Sequence, residues 1–186
     1  MTKFVPHTID TAPEDARDGL RQAEERFGFV PNMMAVLAES PAALEAYQTI
    51  QGAFSKTSFS AAEQQFVALV VSITNGCTYC VPAYSMASAM ARVPQEVIDA
   101  ARDGGAIDDG RYSVLREFTT AVVEKRGAVD DAEVQAFLDA GFTKAQVLEV
   151  IIGVAFKTIS NYTNHIAHIP LDDAFQPFRW DGEKAA

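Results

Sequence analysis

Two stretches of this chain, "QQFVALVVSI" and "VLEVIIGVAFKTIS", are apolar on nearly every face, and each follows a helix-start signal. Ser60-Ala61-Ala62-Glu63 precedes the first and Thr143-Lys144-Ala145-Gln146 the second. In such a capping box the hydroxyl accepts a free amide of the first turn, and the Glu or Gln three residues on reaches back to the cap. An all-round apolar helix has to be buried, so these two segments predict a helical core. The remaining punctuation agrees. Pro13 and Gly28 bracket a helix over about 13–27, and Pro31-Asn32 open a short one. Ser40-Pro41 start a helix running to about Phe54. Asn75-Gly76 break the first apolar helix, and a new one begins near Thr78 or Tyr79 with Cys80 in its first turn. Further helices are expected over about 94–103 and 111–126, and from Asp130 to just before Gly141. No segment alternates with period two for long. The expectation is one all-α domain over residues 1–186, a bundle of about nine helices with its core at about 25–170 and a C-terminal tail at 171–186. Phe175, Phe178 and Trp180 would anchor that tail, either on the core or on a second subunit.

Composition narrows the function. The net charge of −10 disfavours phosphate backbones and anionic lipid, so neither nucleic acid nor membrane is expected as a partner. The N-terminal "MTKFVPHT" lacks the apolar run of a signal peptide, and a cytoplasmic protein is expected. With 48% apolar residues the chain can build a core without a metal or disulfide scaffold, which weakens a purely structural reading of its two cysteines. No Gly-rich phosphate loop occurs, the methionines fit core packing, and no cofactor is expected. Carboxylate pairs such as Asp108-Asp109, Asp130-Asp131 and Asp172-Asp173 fall at turns and helix starts, where capping accounts for them.

The chemistry-bearing stretch is "NGCTYCVPAYSMASAM", which holds both cysteines, Cys77 and Cys80. A thiol at a helix N-terminus is acidified by the free amides. A second thiol one turn away can capture a sulfenic acid and close a disulfide. This C-x-x-C therefore suits a two-electron thiol cycle. The competing readings are an inert buried pair and a Cys₂His₂ zinc site with His165 and His168, although H-x-x-H falls short of the usual spacing.

The block "FSAAEQQFVALVVSITNGCTYCVPAYSMAS", with "FGFVPNMMAVLAESPAALEAY" before it and "NYTNHIAHIPLDDAF" after it, resembles the alkylhydroperoxidase-like, carboxymuconolactone decarboxylase family, in its peroxidase-related branch. The resemblance spans about residues 25–180. It implies an all-α fold, a trimer or hexamer, and a dithiol that reduces a hydroperoxide with electrons from a thiol reductant or reductase partner. It also implies that Cys80 attacks the peroxide and Cys77 resolves the product.

The family's proton relay adds a Glu twelve residues before the first cysteine and a His four after the second. Here Gln65 and Tyr84 stand at those places. Glu63 lies two residues away, a turn of about 200° on a helix, and cannot simply replace a carboxylate at position 65. Gln65 can orient a water or hydroxyl, and Tyr84 can donate a proton to an alkoxide but is a poor base near neutral pH. A base could come from His165 if the polar stripe of Asn161, Asn164, His165 and His168 faces the cysteines; otherwise that stripe marks a helix end meeting solvent or a neighbouring subunit. The leading expectation is a thiol-dependent alkyl hydroperoxide reductase with Cys80, Cys77, Tyr84, Gln65 and His165 in its site. The alternatives are a redox sensor or oligomeric binding protein with weakened turnover, and a lactone decarboxylase-like enzyme, which would not need the cysteine pair.

Overall fold

The punctuation acts as the sequence suggests. Pro13 and the left-handed Gly28 bound α1 (Glu14–Phe27). Then come α2 (Asn32–Leu37) and α3 (Pro41–Phe54), the latter capped by Ser40. Ser60 and Glu63 form the capping box of α4 (Ala61–Thr74), and α5 runs over Cys80–Met90. After α6 (Gln95–Asp103), Asp109 caps α7 (Gly110–Glu124). Asp130 and Thr143 head the capping boxes of α8 (Asp131–Asp139) and α9 (Lys144–Ala167). A short 3-10 helix follows at Asp173–Phe178. This computed structural model describes residues 4–182, and among them there are nine α-helices and no strand. The last four residues of the expected tail, 183–186, lie outside the described residues.

Helix α4 is the centre of the domain. Phe66 to Val71 are buried without interruption, and α5, α6, α7 and α9 pack around it. Where α9 crosses, Gly153 lets the helices close up. A Cβ there would stand 2.9 Å from Val67 Cγ1 and 3.0 Å from Phe54 Cε2. Beside this contact Phe156 packs against Tyr47 and Phe54.

The second apolar helix departs from expectation. It is not buried all round. Val150, Gly153, Phe156, Lys157, Ser160, Asn161 and Asn164 face inward. Leu148, Ile151, Tyr162 and Ile166 are exposed on the opposite side. The tail's aromatics settle on their own chain: Phe175 is buried edge-on to Phe29 and Tyr79, and Arg102 ties down the carbonyls of Phe178 and Arg179. Among the described residues no helix is long and apolar enough to cross a membrane.

The crossing at Gly153 gives a direct test. Gly153→Ala gains helix propensity worth up to about 1 kcal/mol but overpacks rigid neighbours at about 1–3 kcal/mol. The expected net result is a loss of about 1–2 kcal/mol, read from the midpoint of urea unfolding; a gain in stability would contradict the close packing.

Candidate active site

The site forms where the α4–α5 turn meets the inward face of α9. Gly76 adopts a left-handed φ of 65°, which swings the chain back so that the Cys77 amide bonds the Ser72 carbonyl at 2.9 Å. Cys77 then sits over the start of α5, and its sulfur accepts the backbone amide of Cys80 at 3.3 Å. Cys80 is the first residue of α5, so it lies at the positive end of that helix. Both cysteines are free thiols with at most 2% of their surface exposed. Their environments differ in one decisive way. Cys80 lines a cavity of about 480 Å³, whereas Cys77 lies behind it, outside the lining.

From α9 three side chains converge on Cys80. Ser160 Oγ lies 3.6 Å from the Cys80 sulfur. Asn161 adds an amide contact to that sulfur; it is fixed by Asn75, whose Nδ2 donates to Asn161 Oδ1 at 2.9 Å. Lys157 is fully buried, lines the cavity, and has no hydrogen-bond partner for its Nζ, which sits 3.9 Å above the Tyr84 ring. Burial alone would push the Cys80 thiol up. The Cys77 hydrogen bond, the Lys157 charge, and the Ser160 and Asn161 contacts outweigh it and hold Cys80 well below the ordinary thiol value. Cys77 moves the other way, because its hydrogen bond to Cys80 and its burial favour the protonated form. The pair is therefore a cavity-facing thiolate backed by a proton-bearing thiol.

Tyr84 and Gln65 both line the same cavity as Cys80. Burial and the nearby Cys80 charge push the Tyr84 phenol up, so it stays a proton donor. Its oxygen is within reach of Tyr47 and Gln51. His165 is not brought to the site. It is exposed, stacks on Tyr162 at 6.2 Å between ring centroids, and does not line the cavity. The register explains why. The buried polar stripe lies further toward the helix start, at Lys157, Ser160, Asn161 and Asn164, and His165 projects about 40° beyond its Asn161 edge, on the exposed side. His168 is exposed at the C-cap, and among the described residues no three His, Cys, Asp or Glu side chains gather as a metal site, so the Cys₂His₂ arrangement does not form. Glu63 is committed elsewhere, to the Ser60 cap and to Arg111 Nε at 2.6 Å.

Lys157 is the residue that the sequence reading missed. Its signal was present: it is the one charge within "VIIGVAFKTIS", on a helix whose inner face is otherwise apolar or uncharged. Asp172 holds a second surprise. It caps, but not its own segment. Its carboxylate accepts the Asn32 amide at the start of α2 and the Tyr79 hydroxyl, which in turn accepts the Met33 amide at 3.2 Å. The tyrosine between the cysteines is thus a strut joining the site to α2 and the tail.

Residues 38–117 match the model of the carboxymuconolactone decarboxylase family. Solved structures share the whole fold. A peroxidase-related protein with an alkylhydroperoxidase core, from Ralstonia eutropha JMP134, superposes with a TM-score of 0.82 at 21% identity, over 94% of this chain and 96% of that one. A peroxidase-related protein from Silicibacter sp. TM1040 gives 0.80 at 18%, over 96% and 97%. The debrominase Bmp8 gives 0.73 at 17%, over 96% of each chain. No curated protein matches the sequence.

If Lys157 supplies the charge that keeps Cys80 ionised, Lys157→Met should raise the midpoint of Cys80 alkylation by about one pH unit or more. The sign follows from the lowered value: the thiolate persists as pH falls below that of an ordinary thiol, and removing the cation returns the midpoint upward. Iodoacetamide labelling rates against pH measure it, and an unchanged profile would remove Lys157 from the site's electrostatics.

Proposed function

We propose that the protein is a thiol-dependent hydroperoxide reductase. The observation that carries this reading is the asymmetry of the pair: Cys80 faces the cavity under conditions that favour its thiolate, and Cys77 waits behind it with its proton. In the first step the Cys80 thiolate attacks the terminal oxygen of the hydroperoxide. The O–O bond breaks, sulfur keeps the hydroxyl as a sulfenic acid, and the alkoxide takes a proton from Tyr84, which regains one from solvent. In the second step Cys77 sulfur attacks Cys80 sulfur. The S–O bond breaks, hydroxide leaves with the Cys77 proton as water, and a disulfide forms. An external dithiol or reductase partner returns two electrons and two protons.

The missing relay carboxylate and imidazole do not speak against this cycle. A base is needed to make a thiolate from an ordinary thiol, but fixed charge and hydrogen bonds can hold it ionised in advance. Lys157, Ser160 and Asn161 supply that setting. Gln65 would position the leaving oxygen from the cavity wall. Lactone decarboxylation would leave the acidified cysteine without a task. The relationship to the debrominase suggests a second electrophile class for the same dithiol, a halogenated aromatic, and the Phe54, Phe156 and Phe175 lining is compatible with one.

The exposed stripe of α9 supports the expected homo-oligomer. Leu148, Ile151, Tyr162 and Ile166 recur at intervals compatible with one helix face, as in a helix-pairing seam. A monomeric mass by light scattering would remove this part of the proposal. A reducing cytosol fits a pair that works as a dithiol.

The test is single-turnover oxidation of the reduced protein by cumene hydroperoxide, followed by free-thiol counting and intact mass. Both thiols should be lost together. Cys77→Ser should stop at a trapped sulfenic acid on Cys80, and Cys80→Ser should react no faster than a free thiol. Consumption that survives Cys80→Ser would overturn the reading. Thiol loss with brominated pyrrole but not with peroxide would shift it to dehalogenation.

A further inference from the structure

The chain carries 25 acidic residues against 15 basic ones, yet no Asp or Glu lines the cavity at Cys80. Two cations do. Lys157 at the floor is answered by the Cys80 thiolate. Arg26, at the end of α1, has no carboxylate partner among the ion pairs of the described residues. It is exposed at the rim. Its Nη1 donates to Gln51 Oε1 at 3.3 Å, and its guanidinium lies 5.2 Å from the centre of the Phe27 ring. Gln51 reaches on to the Tyr84 hydroxyl, whose ionisation also feels the Arg26 charge. A polar track therefore runs down one wall, from Arg26 through Gln51 and Tyr84 to Lys157 and Cys80.

Much of the remaining lining is apolar. Met33, Met34, Phe54, Met86 and Phe175 line the cavity, and the 76%-exposed Met90 with the 39%-exposed Phe27 extend the apolar lining to solvent-exposed positions. A cavity of about 480 Å³ with apolar walls and a few placed polar groups is built for a small organic molecule. The sign of the charge at its rim opposes that of the whole protein. A net charge of −10 repels an anion in general, so a site meant for one must keep carboxylates away and offer a cation locally. A guanidinium also matches a carboxylate by its fork of donors.

We propose that the natural ligand is an amphipathic monoanion: an apolar body that fills the methionine- and phenylalanine-lined wall, with a carboxylate held at Arg26 and its reactive end at Cys80. On the function proposed above, from which this deepening follows, the substrate is a hydroperoxide of a medium-chain carboxylic acid. Arg26 then sets specificity through KM.

The test measures binding, so it stands apart from turnover. Octanoate and octanol are titrated calorimetrically into the reduced wild-type protein and into Arg26→Gln and Arg26→Lys. The same ligands are then used to shield Cys80 from iodoacetamide. The expected result is octanoate binding that shields Cys80, exceeds octanol binding, falls about fivefold or more in Arg26→Gln, and is partly kept in Arg26→Lys. Octanol binding as tightly as octanoate would overturn the proposal, as would octanoate affinity unchanged in Arg26→Gln or no binding of either ligand. Failure of peroxide reduction with Arg26-dependent octanoate binding intact would count against the redox reading alone.

Discussion

A negative charge held on sulfur inside an apolar bundle is the constraint on which this site depends. Burial opposes a thiolate, so its neighbours must supply more than water would. They do so from two directions. The start of α5 and the Cys77 thiol act from the sulfur's own segment, and Lys157, Ser160 and Asn161 act from one face of α9. Their spacing of three and four residues puts them on adjacent turns facing the same point. The arrangement works only if α9 lies close against α4 and α5. Gly153 permits that approach, and the Asn75–Asn161 hydrogen bond fixes its register.

The same logic explains the surroundings. Lys157 is a buried ammonium with no hydrogen-bond partner, an arrangement that would be costly in an inert core. Above the Tyr84 ring and near a thiolate, it has two sources of compensation. Tyr79, Asp172 and the start of α2 close the neighbouring wall of the cavity through a hydrogen-bonded cluster, which ties the tail to the reactive loop. A cavity walled by segments so far apart in sequence depends on the whole domain being folded.

Much of this was legible in advance, for local reasons. Capping boxes at Ser60, Asp130 and Thr143, the Ser40-Pro41 start, and left-handed Gly28 and Gly104 are decided within a few residues, so the helices follow from sequence. The start of a helix at Cys80 followed in the same way from the Asn75-Gly76 break before it. The details that failed were rotational or long-range. Whether α9 turns His165 or Lys157 toward the cysteines depends on how it seats against α4, and an apolar surface on both sides of α9 concealed which side was inner. Asp172 looked like a local cap because nothing in its own segment reveals that its carboxylate reaches Asn32, 140 residues away. The replacement of the relay by Gln65 and Tyr84 was visible at once. The side chains that approach Cys80 in their stead, Lys157, Ser160 and Asn161, lie on α9, and only the packed structure brings that helix to the site.

Cys80, not Cys77, should be the ionised thiol of the reduced resting protein. Ultraviolet thiolate absorbance against pH, on the reduced wild type and on each single Cys→Ser variant, measures it directly. A first wild-type thiolate should titrate clearly below the ordinary thiol value of about 8.5. It should be lost in Cys80→Ser and remain in Cys77→Ser, where the serine hydroxyl can still donate to the sulfur. A first titration at or above that value, or one that survives in Cys80→Ser, would mean that Cys80 is not the acidified thiol.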